Sequence, residues 1–310
     1  MDIFLAGATG FVGSALIPHL LAEGHQVRVL VRNPGKAGQL PAPVKVVNGD
    51  PTRPGPWQQE AAGAQVVINL TGTSIFTRWT PAAKRQILDS RILATRNLVE
   101  AMGPAGPDGA KTLINASAAG YYGGQGDEVK TEAAGPGRDF LAEVCVAWEK
   151  EAFRAGQHGH RVVATRLAVV LGRGGGALSQ MLTPFRLGLG GRLGSGRQFF
   201  PWIHLADLTA IFVFLIKHPE ISGPVNCGAP NPINNAEFTR ALGRALNRPT
   251  WLPVPGFMLS LLFGEMSSVL LTGPAMIPAV LQKHGFAFQF PAIDQALVDL
   301  VGPKTSPDQK

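Results

Sequence analysis

The chain has 310 residues, 45% of them hydrophobic and only 16% charged, with 38 glycines and 25 prolines. That balance excludes an intrinsically disordered chain, and the length allows one large core or a main domain with a smaller lobe. The net charge of +7 is scattered rather than gathered into runs, which favours anionic small ligands over a nucleic-acid surface.

The opening residues Met1-Asp2-Ile3-Phe4-Leu5 already read as strand and leave no room for a signal peptide. Further strand-like runs follow at Val27–Val31, Val44–Val47, Val66–Leu70, Thr112–Ala116 and Val162–Arg166. Amphipathic helical stretches lie between them, notably Phe11–Glu23, Pro81–Met102 and Asp139–Ala155. Such alternation predicts an α/β fold: a Rossmann-type, doubly wound parallel sheet with right-handed crossovers.

After the first strand stands Ala6-Gly7-Ala8-Thr9-Gly10-Phe11-Val12-Gly13. Gly7 and Gly10 permit a tight turn and a close approach of backbone to a pyrophosphate. Gly13 lets helix and strand pack closely, and the helix start at Phe11 and Val12 offers free N–H groups to the anion. Thr9 belongs to the same cofactor turn. The second strand ends Leu30-Val31-Arg32-Asn33, with Lys36 close behind, where an NAD site carries an acid for the ribose 2′-hydroxyl. A guanidinium suits a 2′-phosphate instead, so the predicted cofactor is NADP(H), held by Arg32 and Lys36. A solvated strand-end charge is the alternative for Arg32. Asp50, after the third strand, is either an adenine contact or a turn former. Leu70, Thr71 and Gly72 close the fourth strand at the carboxyl edge, where open α/β sheets bind ligands.

From about residue 172 the rhythm changes. Gly172-Arg173-Gly174-Gly175-Gly176 and the stretch 188–196 are glycine-dense, and proline-punctuated helices follow. Residues 1–171 are expected to form the NADP-binding Rossmann domain, with segments near 200–228 returning to it. Residues 172–310 are expected to form a smaller, mostly helical lobe that closes over a cleft. The apolar stretch from Phe257 to Met276 is broken by Gly264, Glu265, Gly273 and Pro274, which suits packed helices and no membrane contact. Cys145 and Cys227 stand outside any metal-ligand spacing, so no metal is expected and a reducing cytoplasm is.

Several further motifs run the length of the chain: Asn69-Leu70-Thr71-Gly72, Arg78-Trp79, Ser90-Arg91, the run Ser117-Ala118-Ala119-Gly120-Tyr121-Tyr122-Gly123, and Asp139-Phe140-Leu141 through Trp148-Glu149. With the glycine turn, they resemble the extended short-chain dehydrogenase/reductases. The closest resemblance is to the atypical branch grouped with the NAD-dependent epimerases and dehydratases, and the part from about Trp251 resembles that branch's C-terminal extension. The resemblance adds Arg91 to the expected cofactor contacts.

Two departures accompany it. Extended dehydrogenases use a Tyr, which exchanges a proton with substrate, and a Lys four residues later, which lowers the Tyr pKa. By the resemblance those positions fall on Leu141 and Cys145. Sugar-nucleotide epimerases also carry an Arg for the substrate diphosphate shortly before the motif that here reads Ile203-His204-Leu205-Ala206-Asp207. Phe200 stands there, with Arg197 nearby, which weakens a nucleotide-sugar substrate.

The hydroxyls left to carry chemistry are Ser117, at the end of the fifth strand, and Tyr121 and Tyr122, the chain's two tyrosines. Each has a plain alternative, a strand-end serine and an aromatic wall. Glu132, Glu143 and Glu149 add carboxylates to the region, while His204 reads as structural. Arg78, Lys84, Arg173, Arg192 and Arg197 would suit an anionic substrate if they line the cleft. The expected protein is an NADP(H)-dependent oxidoreductase acting on a small carbonyl or hydroxyl compound, as a monomer or homodimer. Its competitors are an NADP(H)-binding sensor or regulator and, third, a nucleotide-sugar epimerase or dehydratase.

Overall fold

The structure, a computed structural model, describes residues 1–33, 35, 38, 40–107, 109–124 and 128–302; Lys36 lies outside the described residues. The chain starts with β1 (Asp2–Ala6), α1 (Phe11–Ala22), β2 (Gln26–Val31) and β3 (Val44–Asn48). In β1 the four residues from Ile3 to Ala6 are all fully buried, the unbroken apolar run of a strand covered on both faces. Next come α2 (Trp57–Ala62), β4 (Val66–Asn69), α3 (Pro81–Met102) and β5 (Thr112–Ala118). Thr80 starts α3 by accepting a hydrogen bond from the Ala83 N–H at 3.2 Å, with Pro81 in the first helical position, where its missing N–H costs nothing.

A tight turn over Ala119–Tyr122 leads to β6 (Val129–Lys130), α4 (Phe140–Gln157), β7 (Arg161–Leu167) and β8 (Val169–Leu171). Then follow α5 (Gly176–Arg186), β9 (Trp202–His204), α6 (Leu205–Lys217) and β10 (Gly223–Cys227). Seven of these strands form one parallel sheet in the order β10-β7-β5-β4-β1-β2-β3. One face is packed by Leu16, Ile17 and Leu20 of α1 with Ile211, Phe212 and Leu215 of α6. The other is packed by Trp57 and Ala61 of α2, Leu98 and Met102 of α3, and Ala152 and Ala155 of α4. The strand order reverses between β1 and β4, so the carboxyl ends of those two strands open the crevice where such sheets take ligands.

The rest of the chain is mostly helical: α7 (Asn235–Leu246), α8 (Gly256–Phe263), α9 (Ser267–Leu271), β11 (Ala275–Met276), α10 (Ala279–Lys283) and α11 (Ile293–Val301). The short parallel pair of β6 with β11 stitches it to the first part, within which β8 pairs with β9. Leu178 and Phe185 of α5, Phe238 and Leu242 of α7 and Leu297 of α11 share one core. A smaller cluster joins Met266 to Trp79, Ile87 and Val144. The α/β class, the doubly wound parallel sheet and the helical C-terminal part agree with the sequence reading. The edge strand β10 was not among the expected strands, because Gly223 and Pro224 dilute its apolar run; an edge position tolerates both. Among the described residues no helix is long and apolar enough to cross a membrane.

Candidate cofactor and active site

The turn after β1 is built by three glycines with different duties. Gly7 has φ +86°, and a Cβ there would lie 2.7 Å from the carbonyl carbon of Leu70, so the end of β4 closes directly onto it. A Cβ on Gly13 would collide with the Gly7 carbonyl, which is how α1 packs down onto the strand end. Gly10 is different. Its N–H donates to the Gly7 carbonyl at 3.0 Å, and a Cβ on it would meet only that oxygen, at 3.2 Å, and otherwise open space. Thr9 and Gly10 are exposed, and α1 starts with no side-chain cap, so its first N–H groups are left for an anion. Phe11 and Val12, half-buried, form the first turn of α1. The Phe11 ring fills the hollow of the next glycine-dense segment: a Cβ on Gly172, Gly175 or Gly176 would stand 2.7, 2.6 or 2.7 Å from it.

Arg32 projects, exposed, from the carboxyl end of β2. Its charge reaches Asp50: burial pushes that carboxyl up, but hydrogen bonds from the Thr52 N–H (2.9 Å) and hydroxyl (2.8 Å), with Arg32 and Arg53, hold it below its ordinary range. Beyond β4, Asn69 fixes the next loop. Its Oδ1 accepts from the Thr71 N–H and hydroxyl at 3.1 and 2.6 Å, and its Nδ2 donates to Thr95 Oγ1 and Asn115 Oδ1 at 3.0 and 2.7 Å. Gly72 leaves room for Arg91 of α3, whose Cζ would lie 3.1 Å from a Cβ there. Arg91 donates through Nη1 to the carbonyls of Thr73 and Ile87 and lies over the Trp148 ring at 5.1 Å. Burial lowers its pKa, and among the described residues no carboxylate pairs with it.

The residues after β5 require a correction. Ser117 and Tyr122 were each open between a chemical role and a plain structural one, and both are buried in a polar network. Ser117 Oγ donates to Glu149 Oε1 at 2.7 Å. Arg166 of β7 grips the same carboxylate with two bonds of 2.8 Å, from Nε to Oε1 and from Nη2 to Oε2. Its Nη1 donates to the Tyr122 hydroxyl at 2.8 Å, which in turn donates to Asn226 Oδ1 of β10 at 2.6 Å. Burial pushes the Tyr122 phenol up to about 12, against the pull of Arg166. Both hydroxyls are thus hydrogen-bonded within the protein, tying β5 and the turn after it to α4, β7 and β10. Tyr121 is the exception: half-buried, its ring lies 3.4 Å from the Arg166 guanidinium.

Leu141 and Cys145 line the same spot from α4, Leu141 pressed against Gly120 and the buried Cys145 thiol pushed up to about 12 by burial and then by Glu149. Glu132 is structural, its Oε1 accepting the N–H groups of Asn226 and Val280, each at 3.1 Å. Glu143 is exposed. His204 accepts the Ala206 N–H and stacks on Phe290 at 3.9 Å, and Phe200 packs against Phe238 at 4.1 Å. Lys84 pairs with Glu265 at 2.6 Å, while Arg78, Arg173, Arg192 and Arg197 are exposed. No metal-holding group occurs among the described residues. The sequence reading missed Arg166 and Asn226; the signal for the first was an arginine closing an apolar strand.

The family model described as "NAD dependent epimerase/dehydratase family" matches residues 3–228, and one described as "Domain of unknown function (DUF1731)" matches residues 254–300. The chain belongs to the NAD dependent epimerase/dehydratase family. Its relatives place it with the atypical extended short-chain dehydrogenase/reductases. An epimerase family protein of Mycobacterium bovis is 43% identical over 298 residues, covering 95% of this chain and 96% of its own. The chloroplastic SDR39U1 homolog of Arabidopsis thaliana is 40% identical over 96% of this chain and 86% of its own. The crystal structure of human SDR39U1 with NADPH is 33% identical with a TM-score of 0.85, covering 97% of this chain and 99% of that one. The UDP-glucose 4-epimerase of Thermus thermophilus, solved with NAD, has a TM-score of 0.74 at 17% identity over 96% of this chain and 97% of its own, a likeness of fold alone.

Proposed function

We propose that the chain binds NADP(H) and acts as an oxidoreductase on a small carbonyl or hydroxyl compound. The observation that carries this reading is Arg32, exposed at the end of β2 where an NAD site holds an acid. In this reading the pyrophosphate lies over Gly10 and the start of α1, beside Thr9, Phe11 and Val12. Arg32, with Lys36, takes the 2′-phosphate. Asp50 borders the adenine, and the backbone of Leu70, Thr71 and Gly72 follows the nicotinamide half. Arg91, a half-buried guanidinium with no carboxylate partner among the described residues, keeps donors beyond those spent on Thr73 and Ile87 for the ligand. The NADPH bound to the human relative supports this choice of cofactor. The bound nicotinamide would supply the hydride. In this reading Tyr121, whose hydroxyl is not taken up in the Arg166 network as that of Tyr122 is, would give the substrate oxygen its proton.

Fluorescence titration tests the cofactor. NADPH is expected to bind tighter than NADH by about tenfold to a hundredfold, the worth of a charge-assisted contact, and Arg32→Ala should erase most of the gap. Equal affinities in the native chain would sink the reading.

A second reading, an NADP(H) sensor without turnover, is favoured by Leu141 and Cys145 at the pair positions and by the buried hydroxyls of Ser117 and Tyr122. NADPH binding with no oxidation across a broad screen of carbonyl compounds would decide for it.

A further inference from the structure

A cavity of about 480 Å³ opens on the C-terminal part, with Arg240, Arg244, Asn247, Arg248, Thr250 and Trp251 in its wall. The end of α7 builds it. Arg240 and Arg244 stand one turn apart on one face of the helix. Asn247 ends the helix in the left-handed region, φ +55°, and its N–H donates to the carbonyls of Gly243 and Arg244. The Arg248 N–H also donates to the Gly243 carbonyl, at 2.9 Å, so the negative end of the helix is closed by its own chain. A Cβ on Gly243 would lie 2.5 Å from Thr250 Cγ2, and its absence lets the chain fold back along α7. That turn brings Arg248 and Trp251 to the same opening as Arg240 and Arg244. Trp251 is 87% exposed, more than any other large apolar side chain among the described residues. The chain beyond it is held, the Val254 N–H donating to the Arg192 carbonyl at 2.9 Å.

We propose that this cavity is a second nucleotide site, taking a nucleoside diphosphate or triphosphate with its base stacked on Trp251 and its phosphates on Arg240 and Arg248. Three observations select that ligand. The cations of the wall are all arginine, whose planar fork meets phosphate oxygens through paired hydrogen bonds. Their charge is largely unspent. Among the described residues the three arginines meet one carboxylate, Asp294, which lies 2.5 Å from Arg244. Arg248 uses Nε on the Arg186 carbonyl at 2.9 Å and keeps both terminal nitrogens for a ligand. The exposed indole supplies the flat apolar face that a base needs, which a bare anion site would not require. The cavity also has the size of a small-molecule site. No residue assigned above to NADP(H) lines it, so this site stands apart from the cofactor turn.

Calorimetric titration of ADP into the full chain, with NADPH at saturation to fill the cofactor turn, tests the proposal. One ADP is expected to bind per chain. Arg240→Gln and Arg248→Gln should each weaken it by about tenfold, and Trp251→Ala by about as much, with native circular-dichroism spectra in all three. Lys217→Gln, which removes an equal charge at the pair with Glu23, should leave ADP binding unchanged. Gly10→Val, which blocks the cofactor turn, should leave it unchanged too, and that keeps this outcome separate from the cofactor reading. Pyrophosphate and adenosine, each with half of the recognised chemistry, should bind at least about tenfold more weakly than ADP. No binding of ADP at millimolar concentration overturns the proposal, as do arginine variants that bind ADP like the native chain. Pyrophosphate binding as tightly as ADP would reduce the cavity to an anion patch and overturns it equally.

Discussion

At the scale of single residues the network around Arg166 decides which hydroxyls are free. Removing the Tyr122 hydroxyl leaves Asn226 Oδ1 without its donor and Arg166 Nη1 without its nearest acceptor, inside the core. Tyr122→Phe is therefore expected to destabilise the protein by about 1–3 kcal/mol in urea unfolding while leaving NADPH affinity unchanged. Tyr121→Phe should do the reverse, keeping stability and slowing turnover of any carbonyl substrate by about a hundredfold or more. Equal stability of the native and Tyr122→Phe proteins would remove the hydroxyl from the network. The sequence named both tyrosines but had no means of ranking them. What separates them is Asn226, 104 residues further along the chain, and no local spacing encodes that contact. Ser117 was legible as a strand-end serine, and Glu149 only as one more carboxylate of the region; that the two bond each other emerged only when α4 was packed on the sheet.

Among elements, the β1–α1 turn was the most legible, because each of its glycines answers a requirement of the backbone next to it. The structure refines this by giving the three different tolerances. Gly13→Ala drives its methyl group into the Gly7 carbonyl and should lower the melting temperature, since that close packing has no slack. Gly10→Val meets open space, so the fold should survive with a native circular-dichroism spectrum while NADPH binding is lost to the branched side chain. Retained binding in a folded Gly10→Val protein would place the dinucleotide elsewhere. The short strands were illegible for a physical reason. β6 and β11 have two residues each, too few for a period, and pair only because the surrounding chain brings them together.

Across the whole molecule, buried acids of high pKa set an alkaline limit. Burial raises the Tyr122 phenol and the Cys145 thiol to about 12, from ordinary values of 10.0 and 9.0. The folded state thus holds protons that the unfolded chain releases, so their contribution is complete below about pH 9 and is lost as pH climbs toward 12. Urea midpoints should fall over that window, and less steeply in Tyr122→Phe; a midpoint that is flat from pH 9 to 11 would contradict this account. The alternating first half of the chain was readable because each βαβ unit is local, whereas the C-terminal part was readable only as helices, its packing being set by distant partners. The Arg166 network also bears on how the chain is made. As it emerges from the ribosome N-terminus first, β5 and β7 arrive long before β10, and Asn226 then needs the Ile277 carbonyl for its own side chain. Until that late segment is delivered, Tyr122 lacks its acceptor, so the central strands cannot reach their final state ahead of the tail. Folding is coupled from β5 to α10, and a nascent chain halted before residue 226 should be a substrate for chaperones rather than a finished Rossmann domain.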